Sequence, residues 1–79
     1  MEYTYTVIYE PAEEGGYLAH IPALQTTTQG ETLSEARAMA RDLIKSRIEA
    51  LLKLGRPIPR ETKAYKGERV TVSLDVLVT

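Results

Sequence analysis

Hydrophobic and polar positions alternate with a period of two at both ends of the chain and recur at helical spacing in between. In residues 3–9, Tyr3, Tyr5, Val7 and Tyr9 point one way and Thr4, Thr6 and Ile8 the other, the pattern of a half-buried strand. Gly15 and Gly16 turn the chain into a second strand, where Tyr17, Ala19 and Ile21 share one face and Leu18 and His20 the other, and Pro22 stops it. Residues 24–28 are short and threonine-rich, as an edge strand would be. From Val70 the alternation returns, with Val70, Val72, Leu74, Val76 and Val78 against Thr71, Ser73, Asp75, Leu77 and Thr79.

The intervening segment reads as one helix of about 22 residues. Thr32 and Glu35 form a capping box at its start, and Gly55 followed by Pro57 supplies the stop. Leu33, Ala36, Ala40, Leu43, Ile44, Ile48, Leu51 and Leu54 fall within an arc of about 140° at 100° per residue, so one side of the helix packs on a sheet. Arg47 projects within that arc, either as a snorkelling stem or as an ion-pair donor. The order is β-β-β-α-β, and a helical crossover is the usual way to set a last strand parallel to an earlier one. The expected fold is therefore α+β, a four-stranded mixed sheet with one helix on one face. The opposite face, bearing Ile8, Leu18, His20 and Leu77, is the candidate surface for a partner or a second subunit.

At 79 residues the chain is one domain, 1–79, too small to bury more than about 60% of its unfolded surface. Self-association to a dimer or tetramer is the expected supplement. The absence of cysteine excludes disulfides and thiolate metal sites, and a single histidine excludes a histidine-rich metal cluster, so no cofactor is expected. No basic leader or apolar window of membrane-spanning length occurs, which points to the cytoplasm and to no membrane.

Charge is divided along the chain, although the net value is only −1. Residues 1–36 carry six acids and no Lys or Arg, whereas 37–79 carry ten cations and five acids, giving halves of −6 and +5. Lys53, Arg56, Arg60, Lys63, Lys66 and Arg69 flank only Glu61 and Glu68, with Tyr65 among them. That segment is the candidate for contacts to nucleic-acid phosphates. Metal-dependent nuclease chemistry would need converging carboxylates, for which Glu10, Glu35 and Asp75 are the candidates. His20 has no adjacent serine or cysteine in a nucleophile arrangement, and the chain is not read as an enzyme.

Residues 5–36, with Glu14, Gly15, Gly16, Tyr17, then Pro22, then Thr28, Gln29, Gly30, Glu31, Thr32, Glu35 and Ala36, resemble the HicB-like antitoxin domain. The family carries a Pro-Gly pair where this chain has Leu24, Gln25 and Thr26. The resemblance implies a partial RNase H-like sheet that binds and masks a small HicA-type ribonuclease toxin, acting as an inhibitor. Family members often append a DNA-binding module. None is expected within residues 1–79, so DNA binding by this chain alone is not implied.

Overall fold

The computed structural model describes residues 1–74. The sequence readings that place Asp75, Leu77 and the rest of 75–79 in the last strand lie outside the described residues.

Four strands form one sheet in the order β3-β2-β1-β4, with β1 at Glu2–Pro11, β2 at Tyr17–Ile21, β3 at Thr26–Gly30 and β4 at Glu68–Ser73. One helix, α1 at Leu33–Leu54, lies on one face. Its boundaries agree with the sequence reading. Thr32 Oγ1 accepts the Glu35 N–H at 3.0 Å, and Gly55 closes the far end in the left-handed conformation.

Every neighbouring pair of strands is antiparallel, which corrects the expectation of a mixed sheet. The reason lies in residues 55–67. Helix α1, about 33 Å long at 1.5 Å per residue, returns the chain to the end of the sheet where β1 begins. Residues 55–67 then climb back along β1, so that β4 starts with Glu68 opposite Val7 and runs down to Ser73 opposite Glu2. The third strand also begins two residues later than the threonine run suggested. Pro22–Leu24 form a 3-10 turn, and Gln25 takes a left-handed φ of 52° before Thr26 enters the ladder.

The core lies between α1 and the sheet. Tyr5, Val7, Ala19, Ile21, Val70 and Val72 meet Ala36, Ala40, Ile44 and Ile48, and Leu24 and Leu74 complete it. Apart from Leu24, these residues are ones that the strand alternation or the helical spacing assigned inward. Leu33 and Leu54, the first and last residues of α1, are exposed, so the buried helix stripe is the set Ala36, Ala40, Ile44 and Ile48 spaced by four. Each fully buried isoleucine contributes on the order of 2–3 kcal/mol. Arg47 is exposed, and no ion pair among the described residues involves it.

Gly30 ends β3 directly beneath α1. A Cβ there would lie 2.8 Å from the Ala36 Cα and closer still to the Ala36 nitrogen. Two residues without bulk therefore let helix and strand touch backbone to backbone.

At the outer edge, Met1 and Leu74 exchange both backbone hydrogen bonds, at 3.0 and 2.8 Å. That pairing turns the backbone groups of Arg69, Thr71 and Ser73 toward the free side of β4. Arg41 donates to the Thr71 carbonyl at 3.0 Å, which occupies one acceptor of an otherwise open strand edge.

Candidate functional site

The sheet face away from α1 brings three of the four proposed contact residues together. Ile8 pairs with His20 across β1 and β2, and Leu18 stands one row further along the same face, opposite Glu10 and Gln29. All three are half-buried. Leu77 lies outside the described residues.

His20 is tied on both sides. Its Nε2 lies 2.7 Å from Glu10 Oε1 and its Nδ1 2.9 Å from Thr27 Oγ1. A carboxylate only accepts, so Nε2 carries a proton and, in the neutral ring, Nδ1 accepts from the Thr27 hydroxyl. The result is a Glu10–His20–Thr27 row spanning three strands, which holds the imidazole at both ring nitrogens. Sequence reading did not find Thr27. Only the β2–β3 register, which sets it opposite His20, reveals it.

The reverse face is not uniformly bare. Thr6 points away from α1 yet is only 1% exposed. Extending the β1–β2 register two residues beyond Ile8 and His20 would set Thr6 against Pro22, which has no N–H and turns away. Glu61 fills the gap: Oε1 accepts the Thr6 N–H at 2.7 Å and Oε2 accepts the Thr6 hydroxyl at 2.8 Å. Gly67 passes so close that a Cβ on it would lie 2.8 Å from Thr6 Cγ2 and 3.2 Å from Ile8 Cγ1. Residues 61–67 thus cross the reverse face at Thr6 on their way to β4.

Burial would raise the Glu61 pKa, but the two Thr6 hydrogen bonds and Arg69, 3.1 Å away, outweigh it and hold the carboxyl below its ordinary range. Glu68 is held low chiefly by Arg37, whose Nε lies 2.7 Å away, against the effect of burial and with help from the Tyr9 hydroxyl. Tyr9 itself is pushed up to about 12, first by burial and then by Glu68, while the Arg37 guanidinium sits 5.9 Å from its ring centre. A carboxylate with a depressed native pKa stabilises the fold above the ordinary value of 4.5, and that contribution is lost as pH falls through the lower native value. Glu61→Gln is therefore expected to lower stability by about 1–2 kcal/mol near neutrality. It should also flatten the loss of melting temperature on acidification below about pH 5, measured by thermal melts across pH. An unchanged acid limb would refute this role.

Five of the six acids of the first half, Glu10, Glu13, Glu14, Glu31 and Glu35, border an open cleft beside the 12–16 turn. Of the three carboxylates considered for metal chemistry, Glu10 is committed to His20, Glu35 stands in the first turn of α1, and Asp75 is outside the described residues. Among the described residues no group of three or more His, Cys, Asp or Glu is arranged to hold a metal ion. The six cations of residues 53–69 are all exposed: Lys53 in the last turn of α1, Arg56, Arg60, Lys63 and Lys66 in the connection, and Arg69 on β4. Of the two acids among them, Glu61 is buried against Thr6 and Glu68 is paired with Arg37 and Tyr9.

UPF0150 protein Ta0767 of Thermoplasma acidophilum is 39% identical over 69 residues, covering 86% of this chain and 94% of the relative. The chain belongs to the UPF0150 family. A second member, UPF0150 protein ssr1765 of Synechocystis, is 38% identical over 71 residues, covering 89% of the chain and 90% of its own length. No protein-family model matches this UPF0150 chain. Among its described residues, no helix is long and apolar enough to cross a membrane.

Proposed function

We propose that this UPF0150 chain is an antitoxin-like binding domain that masks a small HicA-type ribonuclease in the cytoplasm, without catalysis of its own. The observation that carries the reading is the reverse sheet face: α1 covers the opposite side, and Ile8, Leu18 and His20 stand together where no element of the described chain packs over Leu18 or His20. The resemblance of residues 5–36 to the HicB-like domain supplies the class of partner. Charge agrees with it, because the acidic end beside Glu10 suits a cationic RNA-cleaving protein and would steer its approach. Partner addition through a sheet face or edge is a common recognition mode. Self-association to a dimer or tetramer belongs to the same proposal, since so small a core gains from a second subunit.

Co-expression tests the assignment. A toxic HicA-type ribonuclease encoded beside the chain is expected to lose its growth arrest when the chain is expressed with it and to co-purify with it. Persistent arrest, with the chain present and folded, would sink the inhibitory reading.

A further inference from the structure

The second charged surface is independent of the first and lies at the other end of the molecule. A groove of about 620 Å³ runs between the first residues of β1 and the connection after α1, bordered by Arg56, Arg60, Arg69, Tyr3 and Thr4. Two acids reach this groove. Glu61 is consumed by Thr6 and Arg69, and Glu2 accepts from the Ser73 hydroxyl at 3.4 Å. Among the described residues, no ion pair engages Arg56, Arg60, Lys63 or Lys66. The connection therefore spends its carboxylates on the fold and presents its cations outward.

We propose that this groove and the 60–66 segment form a track for the sugar–phosphate backbone of single-stranded nucleic acid. Guanidinium groups offer paired N–H donors that match phosphate oxygens, and the half-buried Tyr3 ring borders the same groove, where a base can stack. Lys63 and Lys66, exposed in the same connection, add point charges. The chain as a whole is net −1, so attraction to a polyanion arises from this local arrangement and not from bulk charge. The groove is lined by neither Leu18 nor His20, and the proposal goes beyond the masking function.

Anisotropy titration of the full chain against fluorescent 12-nucleotide oligo-U RNA and oligo-dT, over a range of salt, tests the proposal. Three to five phosphate contacts predict a log–log salt slope of about −2 to −3.5. Arg56→Ala with Arg60→Ala is expected to weaken binding at least tenfold. Lys45→Ala with Arg47→Ala, the same charge change at two exposed positions of α1, is expected to weaken it less than twofold, with circular dichroism confirming that both variants fold. Tighter binding of the RNA than the DNA would assign the track to RNA, and the reverse to DNA. No salt-dependent binding, equal loss in both double variants, preference for duplex, or equal affinity for inorganic polyphosphate would each overturn it. The titration contains no second protein, so its failure leaves the masking function standing.

Discussion

Gly30→Ala is expected to lower the melting temperature by roughly 15 °C or more, an effect on the order of 3 kcal/mol in a domain of this size. A single methyl group is the whole change, and the size of the effect comes from what it would meet. The added Cβ lies within 2.8 Å of the Ala36 Cα and of the Glu35 carbonyl carbon, all backbone atoms of the first turns of α1. Backbone cannot rotate aside as a flexible side chain would, so α1 must lift from β3 and open the contact between Ala40, Ile44 and the sheet. Domains this small hold only a few kcal/mol in reserve. Differential scanning calorimetry of the variant checks the prediction; a shift under about 5 °C would show that helix and strand do not meet as described.

Leu18→Lys is expected to reduce affinity for the HicA-type ribonuclease proposed as partner at least a hundredfold while leaving the melting temperature within a few degrees. Leu18 is half-buried on the reverse face and pairs with Glu10, so the new ammonium group gains a carboxylate neighbour and the strand is not strained. For a cationic partner the same substitution replaces apolar contact area at the centre of the docking surface with like charge, and like charges brought together at an interface cost several kcal/mol. Calorimetric titration of wild type and variant measures the difference. Equal affinity would place the partner elsewhere on the chain.

Much of this architecture was legible because two periodicities seldom mislead. The alternation of Tyr5 and Val7 against Thr4 and Thr6, and the spacing of Ala36, Ala40, Ile44 and Ile48, fixed which residues face the core. Thr32 and Gly55 fixed both ends of α1. Strand direction was not legible, because it depends on how far residues 55–67 travel before pairing resumes, and that stretch has no periodic pattern. Gly30 illustrates a second limit. In sequence it stands only as one residue of the run before the helix cap, whereas the fold uses it for close approach to Ala36, a relation between residues that only packing reveals.

The candidate surface was legible in part. The strand faces placed Ile8, Leu18 and His20 on one side, and the register brought them together. Charge counting located the basic connection but treated Glu61 and Glu68 as ordinary surface acids, since nothing local announces that each is held by residues more than 30 positions away. Thr6 likewise reads as a solvent-facing strand residue. It is buried because Glu61 and Gly67 lie against it, with Glu61 answering the N–H that β2 leaves unpaired where Pro22 turns away.

Methyl NMR of the isotopically labelled chain, titrated with the HicA-type ribonuclease, tests the docking claim most directly because both faces of the sheet report in one spectrum. The Ile8 and Leu18 methyl signals, on the reverse face, are expected to shift or broaden, while those of Ile44 and Ile48, sealed under α1, stay in place. Binding that leaves Ile8 and Leu18 unmoved, or that perturbs Ile44 and Ile48 instead, would contradict the account.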